Sequence, residues 1–123
     1  MIGPSYQYAA TMVRDLDGDT YEVMVDLGFK LYYSIHVRLH NFDTAEKNGD
    51  TAAERAHGMA ATAFVTNLLP PGTKLVLNTA KAAIYNRWEA EVWYIDPKSG
   101  IQTSLRETLA TNGFAKLPSY PSA

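Results

Sequence analysis

"DGDTYEVMVDLGFKLYYSIHVRLH", residues 17–40, decides the fold. Within it Tyr21, Val23, Val25 and Leu27 fall on one side of an extended chain, and Glu22, Met24 and Asp26 on the other. A period of two marks a half-buried strand. Farther along, Ile35, Val37 and Leu39 alternate with His36, Arg38 and His40, which predicts another strand. Gly28, in "LGFK", permits the turn between them. Asp17-Gly18 is a second turn signal, so "SYQYAATMVRDL", residues 5–16, reads as the strand that comes before.

Beyond this unit the period changes. "TAAERAHGMAATAFVTNLL", residues 51–69, is Ala-rich, and Thr51-x-x-Glu54 fits a capping box, so a helix is predicted. Gly58 works against helix near its start. "PPG" at 70–72 stops it. "TKLVLNT" (73–79) and "EAEVWYID" (89–96) read as two more strands. Ser104-x-x-Glu107 is a second capping box, opening a short helix over 104–112 that Gly113 closes. Three strands, a helix, two strands and a helix make the order of a five-stranded OB-fold barrel with a helix after strand three, an α+β class that is mainly β. Periodicity supports the elements; barrel closure lies beyond it. One domain is expected over residues 1–123, with a core at about 6–117 and an extended Pro- and Ser-rich tail at 118–123.

Composition narrows the function classes. The hydrophobic share, 46%, suffices for a globular core. No apolar run approaches the ~20 residues of a bilayer span, so no membrane partner is expected. The opening "MIGPSYQYAAT" has neither a basic nor an apolar signal region, so the chain as given reads as cytoplasmic. Without Cys, disulfides and thiolate metal sites are excluded. A net charge of −2 argues against a tight, passive nucleic-acid binder. The charge is unevenly placed: residues 1–54 carry nine acids and four bases, residues 55–123 four acids and seven bases. An acidic first half suits a cation, and a basic second half suits an anion.

Two acidic stretches invite a metal reading. "DLDGDT" spaces its carboxylates as a hard cation prefers. It is not an EF-hand: counting from Asp15, position 6 is Thr20 where Gly is needed, and position 12 is Asp26 where Glu is usual. A plain hairpin turn accounts for the same residues. "HNFDTAE", residues 40–46, reads on its own as a turn or helix cap. His36 and His40 share a strand face but lie roughly 13 Å apart, too far to chelate one ion. They and His57 read as surface or satisfied histidines.

Taken together and in order, these pieces resemble the thermonuclease-like, or staphylococcal nuclease, family. The resemblance runs from about Tyr8 to Lys116. It covers "DGDT" (17–20), "VRLHNFDTAE" (37–46), "GMAATAF" (58–64), "YNR" (85–87) and "SLRETLATNGFAK" (104–116). The family fold is an OB barrel with helices. The resemblance implies Ca²⁺ bound by the carboxylates of Asp19 and Asp43 and the backbone carbonyl of Thr44, with Asp17 bracing the turn. It implies Glu46 as the base that activates water, and Arg38 and Arg87 as the phosphate grip. Tyr85 and Lys116 would line the nucleotide pocket. The implied reaction is hydrolysis of DNA or RNA, preferably single-stranded or frayed, with little base preference and 3′-phosphate products, by a monomer. The residue types suit the chemistry: a cation and guanidiniums stabilise charge that builds on the phosphoryl oxygens, and a carboxylate takes the proton of water.

This chain departs from the family pattern at three positions. Ala45 stands where Pro is usual, which loosens the turn that aims Glu46. Asn86 stands for Gly, and Ala83 for Asp. A different class of function also fits the fold: a non-catalytic OB module that binds single-stranded nucleic acid or a protein partner. A structural Ca²⁺ domain is a third.

Overall fold

The computed structural model describes residues 6–79 and 88–121. Six strands and two helices follow one another: β1 (Gln7–Asp17), β2 (Thr20–Gly28), β3 (Leu31–Leu39), α1 (Ala52–Leu68), β4 (Lys74–Thr79), β5 (Trp88–Ile95), β6 (Gln102–Ser104) and α2 (Leu105–Thr111). The sheet order is β3-β2-β1-β4-β5-β6, and β3 also pairs with β5, so the five long strands close into a barrel. Every pairing is antiparallel except β3–β5, where Val37, Arg38 and Leu39 run parallel to Trp88, Glu89 and Ala90. This is the OB-like barrel that the order of elements predicts. β6 is an addition. It is three residues long, too short for alternation to register in the sequence.

The barrel is filled by the predicted inward faces. Tyr21, Val23 and Val25 of β2 meet Val37 and Leu39 of β3, Leu75 and Leu77 of β4, and Ala90 and Val92 of β5. Leu27 belongs by parity to that face but is 46% exposed. The β2–β3 hairpin outruns the barrel: Phe29 at its tip is 98% exposed, and both Phe29 and Lys30 take positive φ to make the turn. Helix α1 closes one flank with Gly58, Ala61 and Val65, a narrow stripe of small residues followed by the buried Leu69. α2 lays Leu105 and Leu109 into the same core. Its end is a Schellman motif: Phe114 N–H donates to Leu109 O and Gly113 N–H to Ala110 O, with Gly113 at φ +81°.

β1 carries a bulge where its register against β2 slips between Met12 and Arg14. The slip reverses parity. Arg14 then faces Glu22 on the outer side, 2.7 Å away, while Asp15 stands opposite the buried Tyr21. The tail bends back on the domain. The Leu117 N–H donates to the Tyr120 hydroxyl, and that hydroxyl lies 2.7 Å from Nδ1 of His57 on α1. His57 Nε2 lies 2.9 Å from the Gly113 carbonyl, which can only accept; Nε2 therefore carries the proton and Nδ1 accepts from Tyr120. His57 is thus a satisfied histidine, and Tyr120 is the partner that sequence reasoning did not find.

Candidate functional site

The site is assembled where β1–β2, the end of β3 and the loop after it meet. Asp17 pairs with Thr20 across a two-residue turn, Gly18-Asp19. Asp17 Oδ1 accepts from the Gly18 N–H at 3.0 Å, and the Tyr21 hydroxyl donates to the Gly18 carbonyl at 2.6 Å. The turn is pressed against its neighbours. A Cβ on Gly18 would lie 2.6 Å from Thr44 Oγ1 and 2.8 Å from the Ala61 Cβ. Gly18 serves close approach, which the Asp-Gly pattern alone does not reveal.

That packing buries Asp19 to 3% exposure. Its Oδ2 accepts from the Thr44 N–H at 3.1 Å, and its backbone carbonyl from the Leu39 N–H at 2.8 Å. β2–β3 register places Arg38 opposite Thr20, one residue from Asp19. Arg38 Nη2 bonds Asp43 Oδ1 and lies 3.6 Å from Asp19 Oδ2. Two carboxylates from separate segments therefore converge on one guanidinium nitrogen. Asn41, at φ 54°, turns the chain after β3 so that Asp43 returns to Arg38. Asn accepts this conformation more readily than most residues. Thr44 is 1% exposed and bridges to Ala115 in antiparallel fashion, with the Lys116 N–H donating to the Asp43 carbonyl at 2.8 Å. The Thr44 N–H bond to Asp19 sets this stretch of backbone against the buried carboxylate.

Electrostatics follow from this crowding. Burial raises the Asp19 carboxyl above its ordinary value, while the Thr44 N–H and Arg38 pull the other way. Burial also raises Glu46, and the charges of Asp17 and Asp19 add to the rise against Lys116 and Arg38. For Arg38, burial disfavours the charge, but the bond to Asp43 and the charges of Asp19, Asp43 and Glu46 outweigh it and raise its value. A cluster of acids so poised favours cations. Among the described residues no three His, Cys, Asp or Glu side chains form a ready cage. A bound cation would rest on two carboxylates and one carbonyl. The donors are all oxygen, which fits Ca²⁺, and the buried Asp19 carboxylate is a reason for a cation to be held there.

The sequence-predicted residues are thus largely gathered. Asp19 contacts both Thr44 and Arg38, and Arg38 contacts Asp43, so the four form one connected cluster. Glu46, two residues past Thr44, is exposed and feels the charges of Asp19 and Arg38. Lys116 is tied into the loop by its backbone, and its Nζ lies 3.5 Å from Glu54 Oε2. Tyr85 and Arg87, with Ala83 and Asn86, lie outside the described residues. A polar cleft of about 240 Å³ opens beside the cluster, lined by Arg38, Asn41, Phe42, Asp43 and Glu89 among others. A larger, apolar concavity of about 450 Å³ sits away from the acids and includes Tyr6, Tyr8, Tyr33, Ile35 and Trp88 in its lining.

Two residues do more than the sequence reading assigned them. Asp15 has an oxygen without a hydrogen-bond partner, and burial pushes its carboxyl up to about 7. Glu54 fits the capping box only in half: Thr51 Oγ1 accepts from the Glu54 N–H at 3.0 Å, but the Glu54 carboxylate turns to the Glu46 N–H at 3.4 Å. A motif of fixed spacing reports the local partner alone. No protein-family model and no curated protein matches the chain.

Proposed function

We propose that the chain is a Ca²⁺-dependent nuclease that hydrolyses phosphodiester bonds of DNA and RNA. The observation that carries the reading is the convergence of Asp19 and Asp43 on the Arg38 guanidinium, with Glu46 beside them. Asp19, Asp43 and the Thr44 carbonyl are the residues to hold Ca²⁺, which when bound supplies positive charge to the phosphoryl oxygens. Arg38 donates hydrogen bonds to the same phosphate, for which its planar fork is suited. Arg38 now faces Asp43 and Asp19, the carboxylates that would hold the cation, and would be left free for phosphate if they did. Glu46 accepts a proton from water, its raised carboxyl lying closer to working pH than a free glutamate. The water oxygen bonds phosphorus, the bond to the 5′ oxygen breaks, and that oxygen takes a proton from solvent. A 3′-phosphate remains. Arg87 is proposed as the second guanidinium and Tyr85 as a pocket residue, both on the resemblance alone.

The test is cleavage of single-stranded DNA and of RNA in Ca²⁺ and in chelator. Cleavage in Ca²⁺ only is expected, and Glu46→Gln should lower turnover about 10²–10⁴-fold. No cleavage of either substrate in Ca²⁺ sinks the reading. Unchanged turnover in the variant removes Glu46 as the base. The apolar concavity with Tyr6, Tyr8, Tyr33 and Trp88 favours one second reading, a binding module on whose aromatic rings bases stack. Metal-independent binding of single strands without cleavage selects it.

A further inference from the structure

Position 45 is Ala, which does not fix φ, so the direction of Glu46 must be set by other contacts. The loop is held at several points, and they share one side chain. The Glu54 carboxylate, whose side chain is only 13% exposed, uses a single oxygen twice. Oε2 accepts from the Glu46 N–H at 3.4 Å and faces Lys116 Nζ at 3.5 Å. Lys116 in turn donates its backbone N–H to the Asp43 carbonyl at 2.8 Å. The contacts close a ring: from Asp43 to Lys116, through the ammonium to Glu54, on to Glu46, and back along the chain to Asp43.

The surroundings of the ring are equally constrained. A Cβ on Gly49 would fall 2.4–2.8 Å from the Glu54 carboxyl end, so the loop lies directly on that group. The Gly49 N–H donates to the Glu46 carbonyl at 3.1 Å, and Arg55 Nη1 donates to the Gly49 carbonyl at 2.8 Å. From beneath, Gly58 lets α1 touch the backbone of residues 45–47. Ala45, between the anchored ends, is buried and donates no ring restraint of its own.

We propose that Glu54, locked by Lys116, is the positioning residue for Glu46, stapling residues 43–46 in the role that a proline at position 45 would otherwise fill. The proposal rests on the reading of Glu46 as the base. It assigns Lys116 the duty of holding the Glu54 carboxylate in place. Glu54 acts through the Glu46 backbone N–H.

Two variants of the full chain separate this from a merely structural role. Glu54→Gln keeps an oxygen to accept the Glu46 N–H, and Glu54→Ala keeps none. Amide exchange at Glu46 should quicken about tenfold in Glu54→Ala and stay within about twofold of wild type in Glu54→Gln. With single-stranded DNA, kcat should fall on the order of 10–100-fold in Glu54→Ala with KM little changed, and Glu54→Gln should recover most of it. Equal Glu46 exchange in wild type and Glu54→Ala overturns the staple. So does an equal loss of kcat in both variants that tracks their melting temperatures. If the wild type cleaves nothing, the nuclease reading fails, and the exchange arm alone decides whether Glu54 holds Glu46.

Discussion

Asp15 illustrates how one residue is set by a feature with no local signature. In the sequence it belongs to the run of acids at 15–19 and looks solvated. The β1 bulge turns it inward opposite Tyr21, where Thr66 on α1 offers a hydroxyl at 3.5 Å and Lys47 an opposing charge. Burial is the main reason its carboxyl rises from 3.8 to about 7. The folded state therefore binds this proton more firmly than the unfolded chain. Its contribution to stability is full below the unfolded value and declines as pH rises through the folded one. Asp15→Asn mimics the protonated form at every pH. Urea unfolding at about pH 4 and about pH 8 should show the variant gaining on wild type, with the gap ~1–2 kcal/mol wider at the higher pH once residual solvent is allowed for. A gap that does not change with pH would mean the carboxyl ionises freely. Asp19, Arg38 and Asp43 are a different case: the resemblance singled them out by their order along the chain, and the fold brings them together. What their spacing could not tell is that Arg38 sits between the carboxylates, since that depends on β2–β3 register.

At the scale of elements, alternation located four strands, the Asp17-Gly18 turn signal located the first, and the capping boxes located both helices, to within a few residues at each end. Alternation works because a barrel wall has a wet and a dry side. It failed at β6, which is too short, and at Leu27, where the hairpin leaves the barrel and the dry side ends. Gly58 is the instructive case. Read as a weakness of α1, it is the point where the helix meets the site loop. A Cβ there would lie 2.6 Å from the Ala45 carbonyl and 2.8 Å from the Lys47 nitrogen, both backbone atoms that cannot swing aside. Helix propensity favours Ala over Gly by up to ~1 kcal/mol, while forcing a methyl into filled space costs ~1–3 kcal/mol. The two effects have opposite signs, so the outcome is diagnostic. Gly58→Ala should lower the urea midpoint, and Ala45–Lys47 should show the largest shifts in amide resonances. A raised midpoint would show that the helix stands clear of the loop.

The whole molecule couples its core to its site. Closure brings β5 beside β3 at Val37–Leu39, so Arg38 lies at the seam, next to Glu89. No local pattern announces a pairing between strands so far apart in sequence, which is why the elements were legible and the closure was not. Tyr21 makes the coupling concrete. Its ring is fully buried among the barrel residues, and its hydroxyl reaches the Gly18 carbonyl in the turn that carries Asp19. Tyr21→Phe preserves the ring and its packing but leaves that carbonyl without its donor. An unmet buried acceptor costs about 1–3 kcal/mol, so the urea midpoint should fall by that amount with an unchanged slope. The effect should not stop at stability. A ligand that binds only the folded site raises melting temperature, and by more the tighter it binds. If Asp19 helps to hold Ca²⁺, the rise in melting temperature on adding Ca²⁺ should shrink in Tyr21→Phe beyond what lower stability alone produces. Tyr94→Phe is the control, since its hydroxyl contacts Thr108 on α2 and not the turn. Equal shrinkage in both variants would mean that core damage spreads evenly; loss confined to Tyr21→Phe would mean that one hydroxyl in the barrel sets the geometry of the acidic turn.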